Sequence, residues 1–253
     1  MGQPVTASPA PAASWLPEAL LAVVQDPFLD PVPSLLAALG EDNAVVREEA
    51  VRYLKEIRSV RSVESLIACL RHDAEASIRW EAAEALALLG DVRAVPALVE
   101  ATRDPNEMVR LCAAEALGAI GKNIPGVTSA MVFLLDDPSM LVRLYAVEAV
   151  GYLGDRAVVS LLRARMGGEA PAVRVWYVFT LWRLGEPFTF EDVRAVLWRG
   201  GYTARLQAAT VLRLAATDDN AERVVSALRR ARDRERHPTV REHLERQIAD
   251  LAG

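Results

Sequence analysis

The chain has 253 residues, 52% hydrophobic, 25% charged and 6% aromatic, with a formal net charge of -5. So much apolar content with so little net charge excludes disorder for the bulk of the chain, and the length suffices for a large core. The best apolar run, Gly126 to Leu135, stops at Asp136 and Asp137. That is well short of the roughly 20 residues that a bilayer span needs, so no membrane association is expected. Cys69 and Cys112 are too few for a disulfide framework, which points to a reducing, cytoplasmic compartment. Met1 to Ser14 lack the basic and apolar regions of a secretory leader.

In chain order, residues 1–13 are rich in Pro, Ala and Ser and read as a flexible tail. Trp15 to Gln25 and Pro33 to Leu39 read as a degenerate leading helix pair. From there a short text recurs: Val46-Arg47, Ile78-Arg79, Val109-Arg110, Val142-Arg143, Val173-Arg174, Ala204-Arg205 and Val240-Arg241, with arginines 31 to 36 residues apart. Asp104-Pro105 leads to Val109-Arg110 and then Ala113-Ala114-Glu115-Ala116-Leu117-Gly118. Asp137-Pro138 leads to Val142-Arg143 and Ala146-Val147-Glu148-Ala149-Val150-Gly151. Self-similarity at this period is the signature of stacked repeats.

Each unit reads as two helices. Val109, Ala113, Ala116, Leu117 and Ile120 mark the buried face of a first helix. Gly90, Gly121, Gly154 and Gly185 read as the glycines that end first helices, and Asp91 and Asp155 as caps that open the second. A 31-residue helix pair cannot bury its own apolar face, so neighbours must stack. The expected architecture is an all-α, right-handed solenoid of about six to seven units over residues 14–253, closed by a polar helix after Val240.

The repeated text resembles the HEAT repeat, in particular the short HEAT-like repeat of phycobilisome bilin lyase subunits (the PBS lyase type), over roughly Asp42 to Leu228. The resemblance implies that the recurring Asp and Arg are structural and tie the turn of one unit to its neighbour. Asp73, Asp104 and Asp137 stand six residues before an arginine, whereas the same slot holds Gly168 and Arg199 further on. The ladder is therefore expected to weaken in the C-terminal half. The resemblance also implies that second helices line a concave face on which partners lie.

Catalytic chemistry is thinly represented. His72, His237 and His243 lie outside the central units, share no helix face and are expected at the surface. The chain has no His-Glu step of the kind that holds iron in deoxyhypusine hydroxylase, another HEAT-like family, and no Gly-rich phosphate loop. No cofactor, metal or catalytic residue is assigned. Cys69 reads as a core residue. Cys112, in the slot of Glu81 and Tyr145, reads as exposed.

One stretch departs from the repeat. Trp176, Tyr177, Phe179, Trp182, Phe188, Phe190, Trp198 and Tyr202 hold eight of the fifteen aromatic residues. Tyr177 occupies an alanine slot and reads as core filling. Trp176 and Phe179 occupy the slots of Glu81 and Glu84, and with Tyr145 and Tyr152 they are expected to form an apolar outer patch. Two readings of that patch stand: a contact surface, or a face that the C-terminal cap folds back to cover.

Charge also divides along the chain, with 8 basic and 15 acidic residues in 1–100 against 21 and 19 in 101–253. Arg163, Arg165, Arg194, Arg199, Arg229 and Arg230, with Trp198, sit at expected solvent positions of second helices. Such a stripe suits an acidic protein or another anion, although an ordinary solvated face has the same composition. The expectation is a non-catalytic scaffold or adaptor that binds another protein, or a second copy of itself, through Tyr145, Tyr152, Trp176, Phe179, Arg163, Arg194, Trp198, Arg229 and Arg230. The alternative implied by the resemblance is a bilin lyase or chromophore-handling subunit. A second alternative is nucleic-acid binding along the basic stripe, against which the acidic balance weighs.

Overall fold

A computed structural model describes residues 30–251. The tail expected at 1–13 and the helix expected at Trp15 to Gln25 lie outside them. The chain divides into two compact units, Met1–Ala116 and Leu117–Gly253. Among the described residues every regular element is helical.

The first unit holds α1 (Val32–Ala38), α2 (Ala44–Ile57), α3 (Val63–His72), α4 (Ala76–Leu89), α5 (Val95–Ala101) and the start of α6 (Glu107–Ile120). The second holds the end of α6, α7 (Val127–Leu134), α8 (Met140–Leu153), α9 (Val159–Met166), α10 (Pro171–Arg183), α11 (Phe190–Arg199), α12 (Tyr202–Leu214), α13 (Ala221–Arg234) and α14 (Pro238–Ala249). Within each unit first helices pack on first helices, as α2 on α4 and α8 on α10 on α12 on α14. Second helices form another layer, as α3 beside α5.

Local chemistry sets the boundaries. Asn43 accepts the Val45 amide at the start of α2, and Asp91 and Asp155 cap the short 3-10 turns before α5 and α9. Gly90 and Gly154 end α4 and α8 in the left-handed region, at φ 68° and 75°. Gly121 also ends its helix, α6, as expected, but without a positive φ. It is small for another reason: a Cβ there would lie 2.5 Å from the Leu117 carbonyl and 2.7 Å from Val127 Cγ1. The core of each unit is aliphatic and alanine-rich, with Ile78, Ala82, Ala83 and Leu86 of α4 and Val142, Ala146, Val147 and Val150 of α8 fully buried.

The repeated arginines join one turn to the next. Arg47 donates from Nε and Nη2 to both carboxylate oxygens of Asp73, at 2.8 and 2.9 Å, while its Nη1 donates to the carbonyls of Glu41 and Asp42. Arg79 repeats this on Asp104 and on the carbonyls of Asp73 and Ala74. In the second unit Arg143 binds Glu169, and Arg205 binds Glu235. The ladder thus continues where Gly168 was expected to interrupt it, because the acid has moved one residue on. It does break at Arg174, where the following loop reads Arg199-Gly200-Gly201.

Arg79 and Asp104 are mostly buried and bound through a bidentate fork. Arg79→Ala is therefore expected to destabilise the protein by about 2 kcal/mol in urea denaturation, since Asp104 loses a charge-assisted pair. Arg93→Ala, at a solvent-exposed pair, is expected to leave the midpoint unchanged.

Burial pushes the Asp73 carboxyl up, but the Arg47 guanidinium and the Glu75 amide outweigh it and hold the group below its usual 3.8. A depressed native pKa adds stability above the unfolded value and loses it as pH falls through the native one. Stability measured from pH 6 downward is therefore expected to fall more steeply below about pH 4 in the native chain than in Asp73→Asn.

Candidate functional site

The second unit presents a built surface on α11 and α13. On α11, Phe190, Val193 and Leu197 turn inward, and the adjacent face carries Glu191, Arg194 and Trp198 at the same i, i+3, i+7 spacing. On α13, Val224, Ala227, Leu228 and Ala231 are buried, leaving Arg223, Ser226, Arg230 and Arg234 outward. The helices lie side by side, so the outward residues form one patch.

Trp198 is 36% exposed and is the centre of that patch. The Arg194 guanidinium lies 4.6 Å from its ring centroid and that of Arg234 lies 5.6 Å away. Arg223 sits 4.0 Å from the Phe190 centroid and donates to Glu191 at 2.6 Å. Glu191 also pairs with Arg194, so one carboxylate steadies two guanidinium groups. Hollows of about 120 and 270 Å³ flank the indole, the first bordered by Arg194, Arg223 and Arg230, the second by Arg234 and Arg236. Arg229 and Arg230 are exposed and make no side-chain hydrogen bond or ion pair among the described residues. Cationic side chains around a half-exposed indole suit an acidic partner that inserts an apolar or aromatic group.

The structure brings together Arg194, Trp198 and Arg230 from the expected set and adds Arg223, Arg234 and Phe190, whereas Arg229 is exposed but borders neither hollow. Arg163 and Arg165 do not extend a free basic stripe: Arg163 pairs with Glu186, and Arg165 donates to Asp136 at 2.6 Å. Arg199 is exposed but borders a different cavity. The added arginines were within reach of sequence reasoning, since Arg223 and Arg234 fall two turns before and one turn after Arg230, beside the apolar stripe of the same helix.

The outer aromatic patch requires a correction. Trp176 is 4% and Phe179 1% exposed. The next first helix, α12, covers them, and the Trp176 indole donates to Gln207 at 2.7 Å. Phe179 meets Trp176 edge-on at 5.7 Å between centroids. Their slot faces the neighbouring first helix, as Glu81 already shows by lying buried against Lys55. Cys112 and His243 share the slot and are corrected likewise: Cys112 is buried, and His243 is half-buried with Nε2 3.0 Å from Thr210 Oγ1. Burial first, and then the carboxylates of Glu84, Glu115 and Glu81, push the Cys112 thiol up to about 12, where it is an inert core group. Tyr145 is half-buried. Tyr152 is exposed, with the Arg183 guanidinium 4.5 Å from its ring centroid. Tyr177 is fully buried, as its alanine slot implied.

Helix pairs stacked side by side and tied by arginine forks define an α-solenoid. The model of HEAT repeats matches residues 18–87 and 63–132, and that of the PBS lyase HEAT-like repeat matches residues 142–167, so the chain belongs to the HEAT-repeat family. Among solved structures, a chain in the complex of CpcE and CpcF of phycocyanin lyase from Nostoc sp. PCC7120 matches with a TM-score of 0.65. Its sequence identity is 21%, over 98% of this chain and 100% of that chain. A chain in a complex of Kap95p with RanGDP matches with a TM-score of 0.50 and 15% identity, over 91% of this chain and 37% of that one. At these identities the likeness is one of fold. No curated protein matches the sequence. Among the described residues no group of His, Cys, Asp and Glu could hold a metal ion, and no helix is long and apolar enough to cross a membrane.

The two tryptophans separate core from surface. Trp176→Ala is expected to cost about 3–5 kcal/mol in denaturant unfolding, as for other buried aromatic truncations. Trp198→Ala is expected to stay within about 0.5 kcal/mol of the parent.

Proposed function

We propose that the chain is a non-catalytic scaffold or adaptor that holds a protein partner against the second-helix surface around Trp198. What carries the reading is Trp198 itself: a large ring left half in solvent, bracketed by Arg194 and Arg234 and flanked by two hollows. Tryptophan and arginine dominate binding energy at interfaces, and a ring already fixed between cations loses little freedom on contact. The partner should present acidic side chains around an apolar anchor. Tyr152, Arg229 and Arg230 remain exposed and belong to the surface available for contact. The two free, buried thiols suit a reducing compartment such as the cytoplasm.

The second reading is a subunit that handles a tetrapyrrole. It is supported by the likeness to a chain of the phycocyanin lyase complex over nearly the full length of both. The same surface would then meet the propionates of the chromophore. Nucleic-acid binding is the least favoured reading, because the net charge of -5 opposes nonspecific attraction to phosphate.

The test is affinity capture from host lysate with the native chain and with Trp198→Ala/Arg194→Glu as paired baits, read by mass spectrometry and an absorbance spectrum. A stoichiometric protein captured by the native chain, and lost or reduced about tenfold or more with the variant, is the expected result. Visible absorbance in the eluate would favour the chromophore reading. Equal capture by both baits would remove Trp198 from the interface.

A further inference from the structure

The arginine ladder is broken at one rung of the second unit. At Arg47, Arg79, Arg143 and Arg205 the guanidinium fork closes on an acidic side chain from the following loop. At Arg174 that loop is Arg199-Gly200-Gly201, which supplies no acid. The Arg174 side chain makes no hydrogen bond or ion pair among the described residues, and neither does that of Arg199. Removing a carboxylate from such a rung would ordinarily leave a closed, weakened contact. Here it leaves a cavity of about 610 Å³ between the end of α9 and the facing sides of α10 and α11, bordered by both arginines.

The rest of the lining fixes what the cavity suits. Met166, Val175, Val178 and Val196 make most of its wall apolar, and Asp192 is the one acid beside the two arginines, so a positive charge is left over. The volume is that of a small-molecule site rather than of one inserted acidic side chain. The loop cannot close the gap by itself, because a Cβ on Gly200 would fall 2.5 Å from the Val196 carbonyl. Arg174 and Arg199 therefore offer charge-assisted donors to one ligand, in the place where the other rungs hold a carboxylate.

We infer that this cavity binds a small carboxylate with an apolar body, its head seated between Arg174 and Arg199 and its body against Met166, Val175 and Val178. The carboxylate completes the missing rung from outside the chain. The site is independent of the Trp198 surface, and Trp198→Ala leaves it intact.

Octanoate and its neutral amide, octanamide, serve as probes in calorimetric titrations of the full chain. Octanoate is expected to bind at one molecule per chain, and octanamide about tenfold or more weakly, because it lacks the charge. Arg174→Gln is expected to lower octanoate affinity by about tenfold or more. Arg199→Glu removes one donor and supplies an internal carboxylate, so it is expected to abolish binding. Since neither arginine has a partner to lose, both variants keep the parent circular-dichroism spectrum. Ala195→Trp, at an exposed lining position that touches neither charge, is expected to fill the cavity and block octanoate. Absence of octanoate binding, equal affinity for the amide, or parent-like binding by Arg199→Glu or Ala195→Trp would overturn the inference.

Discussion

The guanidinium near the start of α2, α4, α8 and α12 answers two demands at once. Its Nη1 satisfies carbonyls of the loop just before its own helix, and its Nε and Nη2 hold a carboxylate from the loop before the next one. Those loops carry backbone groups that the helices on either side leave unpaired, and burying them without partners would be costly. A single planar fork thus lets two successive loops approach closely enough for the alanine-rich faces to pack. Lysine could supply the charge but not the two parallel donors. This explains why arginine recurs at the position while its acid varies among Asp73, Asp104, Glu169 and Glu235.

Much of this was legible because a repeat reports each position several times. The Val-Arg spacing located the first helices, and the Asp91 and Asp155 caps located the starts of the second. Reading failed where one column of the repeat faces sideways. Glu81, Cys112, Trp176, Gln207 and His243 all stand two residues after the ladder arginine, and a charged residue in such a column suggests solvent. Yet Glu81 lies buried with Lys55 of the neighbouring first helix to neutralise it, and Trp176 lies buried with Gln207 Oε1 to accept a hydrogen bond from its indole N–H. Polarity in that column records pairing between units, which one unit's periodicity cannot show.

The site was legible in part for a related reason. Trp198 and Arg194 stand beside the apolar stripe of α11 and not in it, so their exposure follows from α11 alone. The fate of a charge depends on residues far along the chain. Arg163 is cancelled by Glu186 and Arg165 by Asp136, whereas Arg229 and Arg230 meet no acid among the described residues. A count of basic residues along second helices overstates the free positive charge for that reason. The break at Arg174 was visible as a missing acid, but the cavity there depends on how α9, α10 and α11 diverge.

The bonds between successive pairs share a further property. Their partners lie close in sequence, from 23 residues apart for Arg163 and Glu186 to 37 for Arg213 and Asp250. Each closes only a modest loop, so its entropic cost is paid within one repeat. Low contact order favours rapid folding that nucleates at any well-made rung and spreads to its neighbours. It also localises failure. Around Arg174, among the described residues, no guanidinium fork ties α10 to the loop after α11, so opening there need not wait for the rest of the unit to melt, and hydrogen exchange should be faster along that seam than at a closed rung.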